Sequence, residues 1–221
     1  MLMLQFFLVS NIMENMVKFD NKNGICTFTI DDKSNWLEST PLATRVLSKM
    51  IHTIGSKDHS PRLEQVLSLR EEITEFRRSA RRKSVALGGT LITSPKSGSS
   101  DWTVSRQPPK RNELWKLNKE LRWDAPNLWD DRIFVALQGS PSTKLFIRPL
   151  NNTDREQVQD IDDFHRRMRQ WFSKVPESSR FTIPSVVDSQ DNLVAIPTLD
   201  INLDPKLVQF TVIHRNSRDF S

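Results

Sequence analysis

The sequence of 221 residues predicts an α+β fold, with a helical hairpin followed by short β-hairpins and a small mixed α/β carboxy-terminal domain. The helices are predicted because apolar residues recur at helical spacing after Thr40-Pro41 and Ser60-Pro61, and proline is favoured at the first helical position. The hairpins are predicted because alternating polar and apolar residues flank turn sequences such as Asn23-Gly24.

The first half of the chain divides into two predicted regions. Residues 1–36 form an amino-terminal β ribbon, in which the apolar run Met1–Val9 is either a core strand or an artefactual start. This run is far shorter than the ~20 apolar residues of a membrane-spanning helix, and it lacks the charges of a signal peptide or a mitochondrial presequence. Residues 37–107 form the helical hairpin and then short strands around Val85–Leu87, Thr90–Ile92 and Trp102–Val104, with a hairpin tip at residues 95–100.

The second half is predicted to start with a linker. Residues 108–127 are weakly patterned and form this connector, with a short helix around 113–121, and residues 128–221 form a small α+β domain. In that domain the strands 129–137 and 143–147 are expected to pair. A helix is expected to start at Thr153, because Glu156 lies three positions further on and completes a capping box.

The positive charge of the chain is concentrated in one segment. The formal net charge is +5, but Arg62 to Arg122 contain 14 basic and 7 acidic residues, so the remainder is slightly acidic. A localised basic region is typical of proteins that bind a polyanion. Nucleic acid is favoured over a membrane surface, since no long amphipathic lipid-binding face accompanies the charge.

Several kinds of active site are excluded or disfavoured by the sequence. Cys26 is the only cysteine, so neither an intrachain disulfide nor a cysteine zinc cluster can form, and a reducing compartment is expected. The four histidines are scattered, without the pairing of a metal site. Adjacent carboxylates such as Asp130-Asp131 point in different directions on a strand or a helix, and no serine lies in a nucleophile-elbow motif.

Two basic groups could contact nucleic acid. The first, Arg77 to Lys83, has five cations in seven positions, a density that can neutralise several phosphates at once. A solvated helix end, partly offset by glutamates one or two turns earlier, is the alternative interpretation. The second group surrounds Trp102 and Trp115, which could stack on unpaired bases, although a core or interface tryptophan is the more common case. Its members are Arg106, Lys110, Arg111, Lys116 and Lys119.

Several short blocks occur in one order between roughly Val17 and Ile213. They are Pro41 to Gly55, Pro61-Arg62, Leu87-Gly88-Gly89-Thr90, Arg106-Gln107-Pro108, Leu128-Trp129-Asp130-Asp131-Arg132-Ile133-Phe134, and Ile183-Pro184-Ser185-Val186-Val187-Asp188 continuing to Val194-Ala195-Ile196-Pro197. In this order they resemble the carboxy-terminal half of tRNA(Ile)-lysidine synthases of the bacterial and organelle type. Each block alone is unspecific, so their shared order carries the resemblance.

The resemblance implies a reaction that needs an ATP-binding loop, and this sequence lacks that loop. In that family an amino-terminal PP-loop ATPase domain with a Ser-Gly-Gly-x-Asp-Ser loop binds ATP and adenylates a cytidine of the tRNA anticodon, which lysine then attacks. No such loop is present, and Gly88-Gly89, the only double glycine, lacks the following Asp-Ser and is better explained as a tight turn. We therefore assign no catalytic residue and no cofactor to this chain, whereas the family uses ATP, lysine and Mg²⁺.

The resemblance thus implies the tRNA-recognition part of a lysidine synthase-like ligase, inactive without the ATP-binding domain. The residues expected to bind tRNA are Arg62, Arg70, Arg77, Arg78, Arg81, Arg82, Lys83, Arg106, Lys110 and Arg111. A nonenzymatic RNA-binding adaptor and a protein-interaction module with an acidic partner remain as alternatives. The expected partners are tRNA and a separate or missing PP-loop ATPase domain, with no membrane. A homodimer and a cytoplasmic or mitochondrial location are left open.

Overall fold

The α+β class is confirmed by a computed structural model, which describes residues 2–20, 24–30, 36–55, 59–78, 84–95, 99–139, 143–158, 162–174, 177–205 and 208–214. The described residues form two compact units, and the chain passes from the first to the second between Gln107 and Pro108. Among the described helices, none combines the length and the apolar composition needed to cross a bilayer.

The described residues of the first unit form three helices and one antiparallel sheet of five strands, in the order β1-β2-β5-β4-β3. Its elements are α1 (Leu2–Met16), β1 (Val17–Asp20), β2 (Ile25–Thr29), α2 (Thr40–Gly55), α3 (Leu63–Arg78), β3 (Ser84–Leu87), β4 (Thr90–Thr93) and β5 (Asp101–Arg106). The predicted helical hairpin is α2 packed against α3, and the predicted ribbon is β1 paired with β2. Buried residues of the helices and the sheet share one hydrophobic core.

The prediction of a strand at the start of the chain was wrong, because α1 covers this segment. Ile12 and Met13 are buried, and Val9 and Met16 pack partly buried against the same core. These four positions follow the i, i+3, i+4, i+7 spacing of one helix face. The interpretation as a strand considered the apolar run to Val9 alone and missed this continuation.

In the second unit, the described residues form two antiparallel sheets, in the orders β12-β11-β10-β9-β6 and β13-β8-β7. Its elements are the 3₁₀ helix η1 (Arg111–Leu117), β6 (Lys119–Glu120), β7 (Asn127–Trp129), β8 (Ile133–Gly139), β9 (Phe146–Pro149), α4 (Asn152–Gln157), α5 (Asp162–Lys174), η2 (Glu177–Thr182), β10 (Pro184–Val187), β11 (Leu193–Ile196), η3 (Pro197–Leu199), β12 (Ile201–Asn202) and β13 (Val208–His214).

Three local features differ from the sequence-based expectations. Residues 108–127, expected to be a linker, belong to the second unit, where β6 pairs with β9 and Leu121 is buried. Strand β8 does not pair with β9; it pairs with β7 and, over all seven of its residues, with β13. The capping box lies two residues earlier than expected, since the Asn151 side chain accepts from the backbone of Asp154, whose carboxylate accepts from the Asn151 N–H.

Candidate nucleic-acid interface

Three of the sequence blocks meet at one end of the first unit. Gly88 and Gly89 form the two-residue turn between β3 and β4 with φ angles of 58° and 81°. Positive φ at both positions is the geometry of a type I′ hairpin turn, which glycine adopts without steric cost. The Thr90 hydroxyl donates to the Leu87 carbonyl at 2.6 Å and closes the turn. The Leu87-Gly88-Gly89-Thr90 block is thus explained by the tight turn that it forms.

Arg106 ties this turn to the end of α2. Its Nη1 donates to the carbonyl oxygen of Gly55 at 2.7 Å and to that of Gly89 at 3.2 Å. The Gln107 N–H donates to the same Gly89 oxygen at 2.8 Å. The last carbonyls of a helix lack partners within the helix, so a cation that binds one stabilises the helix end. Arg106 was predicted to bind tRNA, but its guanidinium serves this junction.

The junction leaves no space for side chains at two glycines. A Cβ added to Gly55 would collide with the Gly88 carbonyl oxygen, and one added to Gly88 would lie 2.6 Å from Cγ2 of Ile51. The end of α2 therefore contacts the hairpin turn backbone to backbone. Gly55, Gly88 and Arg106, which are far apart in the sequence, thus meet at one junction.

Arg70 also makes structural contacts, although it was predicted to bind tRNA. From the middle of α3, its Nε donates to the Leu37 carbonyl at 2.7 Å and its Nη2 donates to the Glu38 carbonyl at 3.0 Å. The side chain is half-buried. It holds the turn that leads into α2, so its guanidinium is only partly accessible to a phosphate.

The remaining predicted tRNA-binding residues lie only partly within the described part of the chain. Arg62 and Lys110 are exposed, whereas Arg77 and Arg78 lie in the last turn of α3 and Arg111 starts η1, with side chains outside the described part. Arg81, Arg82 and Lys83 lie outside the described residues. Since α3 has 16 residues, it is about 24 Å long, and it separates Arg62 from Arg77 and Arg78.

The two tryptophans considered for base stacking have opposite environments. Trp102 is 3% exposed and lies between Phe28 and Phe76, with ring centroids 6.1 and 6.2 Å away. It is therefore a core residue that joins β5 to β2 and α3. Trp115, by contrast, is 71% exposed on η1, and the Lys116 Nζ lies 6.0 Å from its ring centroid.

The Leu128-to-Phe134 block forms the turn between β7 and β8 around a buried ion pair. The Arg132 Nε donates to Oδ2 of Asp130 at 2.8 Å, and its Nη2 donates to the Thr182 carbonyl at 3.3 Å. His214 is fully buried nearby. Burial first, and the positive charge of Arg132 second, lower the pKa of His214 to about 3. This imidazole is therefore neutral at physiological pH and is not placed to act as a general base.

The Ile183-to-Asp188 block contributes to a second buried network. Arg148 forms a bidentate pair with Asp154, through Nη1 at 2.7 Å and Nη2 at 2.8 Å. Asp154 also accepts from the Ser185 hydroxyl at 3.1 Å and from the Asn151 N–H at 2.9 Å. Asp154 is completely buried. With these donors its carboxylate is saturated, so it stabilises the fold and is not free for catalysis.

The described residues contain no other candidate active site. Among them, no group of three or more histidine, cysteine or acidic side chains is arranged to hold a metal ion. Burial raises the pKa of the Cys26 thiol well above its usual range, so this cysteine is a poor nucleophile. Trp115, with Lys116 beside its ring, is the candidate that stands out, and its exposure could not be read from the sequence.

The sequence comparison points to the tRNA(Ile)-lysidine synthases. The chain is similar to a probable tRNA(Ile)-lysidine synthase of Schizosaccharomyces pombe, with 30% identity over 106 residues, which is 48% of this chain and 23% of the relative. The match thus spans about a quarter of the relative's length. No protein-family model matches the chain. The similarity supports a relationship to this family of tRNA-modifying ligases.

Proposed function

We propose that this chain is the tRNA-recognition part of a tRNA(Ile)-lysidine synthase-like ligase, and that it requires an ATP-binding domain for the reaction. The similarity to the S. pombe protein over 106 residues carries the proposal. The sequence of this chain has no Ser-Gly-Gly-x-Asp-Ser loop. The proposed contribution of the chain is therefore to hold tRNA for chemistry that another domain performs with ATP, lysine and Mg²⁺.

The charge distribution supports the same proposal. The segment from Arg62 to Arg122 has twice as many basic as acidic residues. Arg62, Lys110, Lys116 and Lys119 are exposed within it. Exposed cations bind phosphates with release of counterions, which makes the affinity depend on the salt concentration.

The proposal is tested by titrating the chain with tRNA at several salt concentrations. A variant with Arg77, Arg78, Arg81 and Arg82 replaced by alanine is expected to bind more weakly and to have a flatter salt dependence. Each lost phosphate contact lowers the slope of log K against log salt by about 0.7–0.9. The matched control replaces the same four residues by lysine, which retains the charge and is expected to retain the slope.

Two outcomes would contradict parts of this proposal. Equal affinity and slope for the alanine variant and the wild type would remove these arginines from the tRNA contact. Stronger binding to polyglutamate than to tRNA would favour a protein-interaction module with an acidic partner. Circular dichroism and thermal melting of both variants are the folding controls.

A further inference from the structure

Trp115 is exposed where a tryptophan is expected to be largely buried. Among the tryptophans whose side chains are described, Trp36, Trp102 and Trp129 are at most 4% exposed and Trp123 is half-buried, whereas Trp115 is 71% exposed. A tryptophan ring carries a large apolar surface that folding normally removes from water. A tryptophan left exposed in this way is a candidate contact for a ligand with an aromatic or apolar face.

The 3₁₀ geometry of η1, together with the spacing of its apolar residues, places Trp115 on the exposed face. In a 3₁₀ helix residues i and i+3 lie above one another. Leu114 and Leu117 therefore share one face; both are half-buried, and Leu117 packs against the core of the second unit. Asn112, Trp115 and Asn118 follow the same spacing on another face, and all three are exposed.

The backbone under Trp115 is fixed by hydrogen bonds to the rest of its unit. The Trp129 Nε1 donates to the Leu117 carbonyl at 2.9 Å, and the Asn118 N–H donates to the Trp115 carbonyl at 3.2 Å. Directly after η1, β6 pairs with β9. Because this support is formed before binding, stacking of a ligand on the indole costs little conformational entropy of the chain.

One cation lies beside the exposed ring, since the Lys116 Nζ is 6.0 Å from its centroid, and further lysines of the unit are exposed. Lys110, Lys116, Lys119 and Lys144 are exposed in the same unit. Lys116 pairs with Glu113 at 3.3 Å and Lys144 pairs with Glu120 at 3.8 Å. Both members of each of these two ion pairs remain at least 43% exposed. Exposed ion pairs of this kind contribute little stability. A phosphate can therefore replace the carboxylate at Lys116, next to the ring.

We infer that Trp115 is a stacking platform for an unpaired nucleobase of RNA, with Lys116 and the neighbouring lysines binding the flanking phosphates. This inference rests on the proposed function and assigns it a site in the second unit. Bases in single-stranded loops expose their faces, whereas the bases of a duplex are stacked on each other, so the site selects loops over paired stems. Asn112 and Asn118, three residues before and after Trp115, are exposed, and their amides are suited to bond the edges of the base.

The inference is tested with two RNA probes and the full chain. One probe is a hairpin with a seven-nucleotide loop, and the other is a blunt duplex with the sequence of its stem. Trp115→Ala is expected to weaken hairpin binding about 5- to 150-fold, the range that corresponds to one base stacked on an aromatic ring. Duplex binding is expected to change less than about twofold, because a duplex presents no free base face.

Three further variants separate stacking from charge and from a general surface effect. Trp115→Phe keeps an aromatic face and should retain most of the hairpin affinity. Lys116→Ala should flatten the salt dependence, whereas Trp115→Ala removes no charge and should leave it unchanged. Ile213→Ala is the matched control, since Ile213 is also a large exposed apolar residue of the second unit, at 53%, and it cannot stack in this way.

Each contrary result has a defined meaning. Unchanged hairpin affinity of Trp115→Ala, while the wild type binds RNA, would overturn the stacking site and leave the proposed function standing. An equal loss for hairpin and duplex would also overturn it and would favour a role of Trp115 in folding or in a protein contact. A wild type that binds neither probe nor tRNA would overturn both the inference and the proposed function.

Discussion

Gly55→Ala tests whether the end of α2 must contact the β3–β4 turn directly. The new Cβ would collide with the Gly88 carbonyl oxygen and lie 3.3 Å from Cγ2 of Thr90. The turn cannot simply move away from α2, because Nη1 of Arg106 binds both the Gly55 and the Gly89 carbonyl oxygens. Overpacking of this kind costs about 1–3 kcal/mol, and the higher helix propensity of alanine returns at most about 1 kcal/mol.

The net effect should be a lower stability of the first unit. A loss of about 1 kcal/mol corresponds to a fall in Tm of about 4–8 °C for a unit of this size. Thermal and urea unfolding of the full chain, followed by circular dichroism, would measure the loss. Ser68→Ala, at an exposed position on α3, is the control and should stay within about 0.5 kcal/mol of the wild type. A Gly55→Ala variant as stable as the wild type would refute the close-contact argument.

Two more predictions concern the buried charges of the second unit. Asp154→Asn should lower the free energy of unfolding by about 3–5 kcal/mol, measured in urea, because it leaves Arg148 without its buried partner. Asp191→Asn removes the exposed partner of the same Arg148, at 2.9 Å, and should cost at most about 1 kcal/mol. Equal costs would contradict the assignment of Asp154 as the partner that stabilises the buried Arg148. The pKa of His214 is about 3 in the folded protein, below the ordinary unfolded value of about 6.5. Its stabilising contribution is therefore complete above pH 6.5 and is lost as the pH falls toward 3, by up to about 1.4 kcal/mol per pH unit. His214→Gln should reduce this pH dependence between pH 6.5 and 4, and an identical dependence in both proteins would show that His214 is not its source.

Local signals in the sequence were sufficient for several elements. The sequence marks both ends of α2, with Pro41 at its second position and Gly55 at its last. The structure has a helix with one apolar face between them. Asn23-Gly24 and Gly88-Gly89 each separate strands that pair with each other. In these cases the residues that determine the element lie within the element or next to it.

Long-range pairing could not be predicted in the same way. β8 pairs with β13, whose residues lie 69 to 81 positions later than their partners in the chain, and no turn sequence links them. The capping box shows a related ambiguity, because Asn151 with Asp154 and Thr153 with Glu156 have the same spacing. The Asn151 box forms because the Asp154 carboxylate is also bound by Arg148, a contact that sequence spacing does not show.

The candidate site was only partly predictable for the same reason. Arginines have the same positive charge whether they bind a phosphate or a backbone carbonyl. Arg70 and Arg106 therefore appeared equivalent to Arg62 in the sequence, although both bind carbonyls in the structure. Likewise, Trp102 and Trp115 both lie among basic residues, and their exposure differs only because Trp102 lies on a central strand of a sheet and Trp115 lies on a short helix.

The passage of the chain between Gln107 and Pro108 has a practical consequence. Every strand pairing among the described residues joins two strands on the same side of this point. Division of the gene there would break no sheet, so each half retains its own ladder of backbone hydrogen bonds. Separate production of the two halves would then show which of them carries the affinity for RNA, the half with Arg77 and Arg78 or the half with Trp115.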